Sequence, residues 1–302
     1  MLLQKHYFRK FFLLAVVTVI FTSCNRTGQE TEVKVEDFSV SSDIFEDIST
    51  AKKIFYSLPS PLETAMLIKS AGAAYNEQLL NPVDNADNYV TNRKKALNLG
   101  IYTTDLSYSS LFDQTQTAIN YMNAAKKMAE GLGISDAIDE NTIKTLEENL
   151  NNKEKIMDII SETFMSSSSY LKDNNRPEIA TVVLVGGWIE GLYIATTLVG
   201  DGPIENNKLV DRIVDQRLSY DILLKMINEY KENDDIKALE AQLSNFDVIM
   251  KKIIITSSEV ETSEDTETNV TTLKVENKVT MTKETFDQLR KEVKTLRNDF
   301  IL

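Results

Sequence analysis

Apolar residues recur at intervals of three and four through residues 46–255, the spacing of one face of an α-helix. The spacing is clearest from Asp234 to Ile255, where Ile, Leu, Phe and Met fall on a single face. This segment has no sustained alternation of apolar and polar residues, which would indicate β-strands. The sequence therefore predicts an all-α domain, a multi-helix bundle of about eight antiparallel helices.

Prolines, glycines and capping residues set the predicted ends of these helices. Gly100 is expected to end one helix in the left-handed conformation, and Gly131–Gly133 to end the next. The eight predicted helices span residues 61–80, 88–99, 105–130, 141–150, 153–171, 177–199, 207–230 and 234–255. The first and sixth resemble each other at an offset of about 116 residues, which a weak internal duplication or chance similarity explains equally well.

The chain after the bundle has a different pattern. Residues 256–281 are polar and acidic and predict a linker, with either a short hairpin about Glu276–Asn277 or extended chain. Residues 282–302 predict a separate amphipathic helix, with Thr282 as its cap and basic residues on its polar faces. Three hypotheses fit this helix: it docks on its own domain, it pairs with another chain, or it lies on a lipid surface.

The first 23 residues have the pattern of an export signal. Three basic residues precede an apolar run from Phe11 to Phe21, which is too short for a membrane span. Thr22–Cys24 resembles the lipobox of bacterial lipoproteins, in which the cysteine is acylated and begins the mature chain. We therefore expect lipid attachment at Cys24, with an ordinary secretory peptide as the alternative. By the same resemblance, Asn25 favours the outer membrane, and the polar residues 24–45 predict a flexible tether.

Composition and charge exclude several classes of chemistry. The formal net charge of −13 disfavours a nucleic-acid partner, which needs a surplus of basic residues. Signal removal takes away His6, the only histidine, and acylation uses the only cysteine. Catalysis by Ser-His-Asp or Cys-His, and metal sites built on imidazole or thiolate, are then excluded. The oxygen-rich loops at 84–88 and 201–205 lack the spacing of an EF-hand, so we expect no metal and no cofactor.

Residues 179–199 are apolar, with Glu190 as their single charge. Their length would span a membrane, but a charge near the middle is costly there, so we expect a buried central helix. Gly187 and Gly191 predict a face on which another helix approaches closely. A buried carboxylate needs a partner, and Lys69 lies on the apolar side of its own predicted helix. We expect a Lys69–Glu190 ion pair; a surface position for Lys69 is the alternative.

The segment Asn98–Tyr108 is dense in polar and aromatic residues. The simplest interpretation is a corner between two helices, where Asp105 or Thr104 caps the second helix and Tyr102 and Tyr108 pack. The alternative is a pocket lined by Tyr102, Asp105 and Tyr108, because aromatic rings beside a carboxylate suit sugars or peptides.

Three stretches, Ile54–Ala65, Asn81–Pro82 and Asn98–Tyr102, resemble an uncharacterised family of bacterial exported all-helical lipoproteins. The resemblance covers residues 50–255, implies a helical fold and supplies no activity. Together with the missing histidine and cysteine, it favours a non-catalytic scaffold or partner-binding role in the cell envelope. A protein partner is expected through the C-terminal helix. The alternative is a hydrolase of envelope or external glycans that uses carboxylates alone, which needs two acids beside a cleft.

Overall fold

The computed structural model describes residues 74–135, 140–149, 152–257, 261–265, 270–274 and 277–302. Within them the protein is a bundle of α-helices, which confirms the predicted fold class. The predicted signal peptide, the tether and most of the predicted 61–80 helix, with its half of the suggested duplication, lie outside the described residues. The helices are α1 (Asn92–Leu111), α2 (Thr115–Leu132), α3 (Glu140–Glu148), α4 (Lys153–Asp173), α5 (Glu178–Val199), α6 (Lys208–Glu229), α7 (Asp234–Met250) and α8 (Lys283–Ile301), preceded by 3₁₀ turns at Glu77–Leu79 and Val83–Asp87.

Side-chain caps and a left-handed glycine set several helix ends where the sequence predicts them. The Asn207 side chain accepts hydrogen bonds from two backbone N–H groups at the start of α6, and Thr282 caps α8 in the same way. Gly133, with φ of 68°, ends α2. The predicted continuation of a helix to residue 80 is wrong, because Asn76 is extended and caps only the short turn Glu77–Leu79.

The predicted helix end at Gly100 is wrong. α1 continues through Gly100, and the break comes later, in a turn where Asp113 has φ of 60°. A Cβ atom at Gly100 would lie 2.0 Å from the carbonyl oxygen of Val183 in α5. The glycine is therefore required by the close approach of two helices. Asp105 and Thr104 lie inside α1, so neither is the predicted cap.

Helix α5 occupies the centre of the described bundle. It packs along α1 and also contacts α4, α6, α7 and α8, while α2 packs against α1 and α3 against α4. Among the described helices, α5 is the one long and apolar enough to cross a membrane, with a mean hydropathy of 1.7. Of the most apolar 18-residue stretch of α5, 61% is buried inside the protein. The position of the helix in the core therefore accounts for its apolar composition.

The C-terminal helix α8 docks on the chain's own bundle, which is the first of the three hypotheses. It contacts α5, α7 and α1. Its apolar stripe is fully buried in these contacts and consists of Phe286, Leu289, Val293, Leu296 and Phe300. A partner that used this stripe would first have to displace α8 from the bundle.

Four short strands lie between α7 and α8: β1 (Ile254–Ser257), β2 (Glu261–Asp265), β3 (Val270–Lys274) and β4 (Asn277–Thr280). β1 pairs antiparallel with β4, and β2 pairs antiparallel with β3. β3 and β4 therefore do not pair with each other as the two strands of the predicted hairpin. Because β1 begins at Ile254, α7 ends earlier than predicted.

Candidate functional site

A cavity of about 210 Å³ lies among helices α1 to α6 and is partly open to solvent. α1 and α5 pack directly on each other, and both contribute residues to the lining, as do α2, α3, α4 and α6. The lining is predominantly aliphatic; representative residues are Leu106, Ile134, Leu146, Ile160, Leu192 and Ile213.

Small residues of α5 create part of this space. A Cβ atom added at Gly191 would have no other atom within 4 Å, and Ala180 and Ala195 also line the cavity. At Gly187 an added Cβ would lie 3.1 Å from the carbonyl oxygen of Gly100, so a neighbouring backbone does approach there. The predicted close-approach face is thus confirmed at Gly187 and wrong at Gly191, which faces the cavity.

Trp188, the single tryptophan of the chain, forms part of the cavity wall. Its indole Nε1 donates a hydrogen bond to Gln216 Oε1 at 3.1 Å. Its ring stacks on Tyr220, with 5.7 Å between centroids, and meets Phe246 edge-on. The indole is held in one orientation beside the cavity. We therefore expect its fluorescence to change when a ligand binds in the cavity.

The charged side chains in the described part of the cavity lining are both cationic. Lys126 and Arg212 are 47% and 43% exposed, respectively. Each has an acidic neighbour on its own helix that is not part of the lining, Glu130 at 4.0 Å and Asp215 at 3.3 Å. Ser168 Oγ also belongs to the wall, is buried, and has no hydrogen-bond partner among the described residues.

The predicted pocket of Tyr102, Asp105 and Tyr108 does not form. All three residues belong to α1, and their side chains are buried inside the bundle. The Tyr102 hydroxyl donates to the carbonyl of Pro82 at 3.1 Å, and the Tyr108 hydroxyl accepts from the backbone N–H of Asn76 at 3.3 Å. Of the three, Tyr108 alone lines the cavity described above. The two tyrosines tie the chain before α1 onto that helix. The predicted corner between two helices is wrong, because Asn98–Tyr108 lies within the single helix α1.

Glu190 is fully buried, and its partner in the described structure is Arg297 of α8. The guanidinium Nε and Nη2 atoms donate to the two carboxylate oxygens at 3.0 and 3.2 Å. Nη2 also donates to the carbonyl of Leu79 at 3.1 Å, and the guanidinium lies 4.7 Å from the centroid of the Tyr193 ring. Lys69, the predicted partner of Glu190, lies outside the described residues.

Asp105 completes this buried cluster. Its Oδ2 accepts from the backbone N–H of Asn81 at 3.1 Å, while its buried Oδ1 has no hydrogen-bond partner among the described residues. Burial, and then the charge of Glu190, raise the pKa of Asp105 well above its usual range. One guanidinium balances one carboxylate, so the two acids together keep one proton in the folded protein.

Asp105→Asn is expected to stabilise the protein at neutral pH. The unfolded wild-type chain loses the Asp105 proton near pH 3.8, but the folded protein keeps it, so stability falls as the pH rises from that point towards the raised pKa. The asparagine side chain keeps an oxygen that can accept the hydrogen bond from Asn81, and it needs no proton uptake. We expect the variant to have a higher unfolding free energy than wild type at pH 7 and about the same unfolding free energy near pH 4.

The measurement for Asp105→Asn is urea unfolding at both pH values. The control is Asp84→Asn, at an exposed aspartate, which should change stability little at either pH. A variant less stable than wild type at neutral pH would mean that Asp105 is ionised in the folded protein.

The two buried acids do not make a hydrolase site. Asp105 and Glu190 are both 0% exposed, and neither lines the cavity. No Asp or Glu belongs to the cavity lining in the part of the chain that the structure describes. Within that part, no group of three or more His, Cys, Asp or Glu residues is arranged to hold a metal ion.

Comparisons with protein-family models, with curated proteins and with solved structures found no match. The family resemblance of the sequence therefore stays a hypothesis. Any assignment of function depends on the cavity and on the chemistry of its lining.

Proposed function

We propose that this chain is a lipid-anchored protein of the bacterial cell envelope whose helical bundle binds a long-chain aliphatic molecule without catalysis. The observation that carries the proposal is the apolar cavity of about 210 Å³. An engineered apolar protein cavity of about 150 Å³ is already large enough to bind benzene. An aliphatic chain that leaves water for this cavity gains about 25 cal/mol for each Å² it buries.

The mismatch between this space and water supports a ligand. The cavity is partly open to solvent, so water can enter it, but its predominantly aliphatic wall offers that water few hydrogen bonds. A long-chain ligand would return this water to the solvent and cover the apolar wall. A packing defect could be removed by one larger side chain at Gly191, where an added Cβ meets no other atom within 4 Å.

The sequence supports the proposed location, at a membrane of the cell envelope. Cys24 is proposed as the site of lipid attachment, Asn25 favours the outer membrane, and residues 24–45 supply a tether to the bundle. A bundle held beside a membrane meets long-chain molecules at high local concentration. This ligand differs from the protein partner expected through the C-terminal helix, whose apolar stripe is buried in the bundle.

Gly191→Leu is expected to abolish ligand binding, because the new side chain occupies the cavity. Wild-type protein titrated with 1-dodecanol should show a saturable change in Trp188 fluorescence. In the variant the affinity should fall by at least about tenfold, equivalent to about 1.4 kcal/mol of binding free energy. Its thermal stability should be equal to or higher than that of wild type, since a void is filled.

The matched control is Gly131→Leu, at an exposed glycine of α2 outside the cavity, which should bind as wild type does. A wild-type protein without a saturable signal would contradict the proposed function. Equal binding by Gly191→Leu and wild type would place the ligand elsewhere.

A further inference from the structure

The charge of the cavity lining is opposite to the charge of the protein. The chain has 46 acidic residues against 33 basic ones, yet the charged residues in the described lining are Lys126 and Arg212. Both carry long aliphatic stems that can lie along an apolar wall while the charge stays in water. Their half-exposed side chains therefore place positive charge where the cavity meets solvent.

The two cations come from different helices of the cavity wall. Lys126 belongs to α2, which packs on α1, and Arg212 belongs to α6, which packs on α5. Arg212 Nη1 is hydrogen-bonded to Asp215 at 3.3 Å, whereas Lys126 and Glu130 are 4.0 Å apart. Exposed ion pairs contribute little free energy, and the longer one is the easier to exchange for an anionic ligand group.

On the basis of the proposed binding function, we propose that the ligand is a single-chain amphiphile with an anionic head group. Its chain fills the cavity, and its head group lies at the Lys126 edge, where it replaces Glu130 as the partner of the ammonium group. The head group is a carboxylate, as in a fatty acid, or a phosphate monoester, as in a single-chain phospholipid. The two share one chemistry of recognition, a negative charge at the end of an aliphatic chain.

The experiment compares amphiphiles of equal chain length by Trp188 fluorescence, at concentrations below micelle formation. The ligands are dodecanoate, dodecyl phosphate, 1-dodecanol and dodecyltrimethylammonium. We expect the better of the two anions to bind about tenfold more tightly than the alcohol, and the cation to bind most weakly. The relative affinities of the two anions distinguish a fatty acid from a phosphate-bearing lipid, and either order supports the proposal.

Lys126→Met keeps the aliphatic stem and removes the charge. It should weaken binding of the anions about five- to tenfold and leave the affinity for 1-dodecanol within about twofold. Lys127→Met is the matched control, because Lys127 is exposed, pairs with Asp87 and does not line the cavity. If Arg212→Met weakened binding of the anions and Lys126→Met did not, the proposed position of the head group at Lys126 would be wrong.

The outcomes separate this inference from the proposed function. Equal affinities for all four ligands would contradict the proposal of an anionic head group. The proposed binding of aliphatic chains in the cavity would still stand. Tighter binding of the cation would also contradict an anionic head group. A complete lack of binding would contradict the proposed function itself.

Discussion

Gly100→Ala is expected to destabilise the protein by at least about 3 kcal/mol, through separation of its two central helices. The new Cβ would lie 2.0 Å from the carbonyl oxygen of Val183 and 2.5 Å from the backbone nitrogen of Gly187. Both atoms belong to the main chain of α5, so no rotamer change relieves the overlap. α1 and α5 would have to move apart along the contact that forms the centre of the bundle.

Helix propensity alone predicts the opposite sign for this substitution. Alanine is favoured over glycine inside a helix by about 1 kcal/mol. Gly191→Ala is the matched control, because it brings the same gain in α5 but adds a Cβ in open space. Urea unfolding followed by circular dichroism should show Gly191→Ala slightly more stable than wild type and Gly100→Ala far less stable. Equal, small effects would contradict the close approach of the two helices.

Arg297→Ala is expected to cost about 3–5 kcal/mol of unfolding free energy at neutral pH. The loss leaves the fully buried Glu190 without a compensating charge and removes a hydrogen bond to the carbonyl of Leu79. It also removes the ion pair that joins α8 to α5. The deficit should become smaller in mild acid, where the unpaired carboxylate takes up a proton on folding.

Two further variants isolate the charge effect at Arg297. Arg290→Ala is the control, since Arg290 of α8 pairs with the exposed Asp201 and should contribute little. Arg297→Met combined with Glu190→Gln removes both charges and should recover most of the loss. If Arg297→Ala and Arg290→Ala had equal, small effects in urea unfolding, the buried pair would not stabilise the docking of α8.

The regular helices could be predicted because their determinants are local. The caps at Asn207 and Thr282 and the left-handed Gly133 lie in the sequence next to the helices they end. Gly100 misled the prediction because a glycine that ends a helix and one that admits a neighbouring helix look the same in sequence. The distinction depends on Val183 and Gly187 of α5, which lie more than 80 residues further along the chain.

The buried cluster was partly predictable. A single charge in an apolar helix pointed to Glu190, and Arg297 falls four residues after Val293, within the apolar stripe of its own helix. The expectation that the basic residues of this helix lie on its polar faces is wrong for Arg297, which is buried. Its spacing from Val293 was the signal that could have shown this. The cavity had no comparable signal, because Gly191 resembles Gly187 in sequence and the empty space depends on how six helices meet.

The location of a bound ligand is the measurement that bears most directly on ligand binding in the bundle. A crystal grown with a fatty acid that carries bromine at the end of its chain would show the bromine by its anomalous scattering. We expect the bromine inside the cavity beside Gly191 and the carboxylate near Lys126. Bromine only on the outer surface, with the cavity occupied by side chains or empty, would contradict the proposed function.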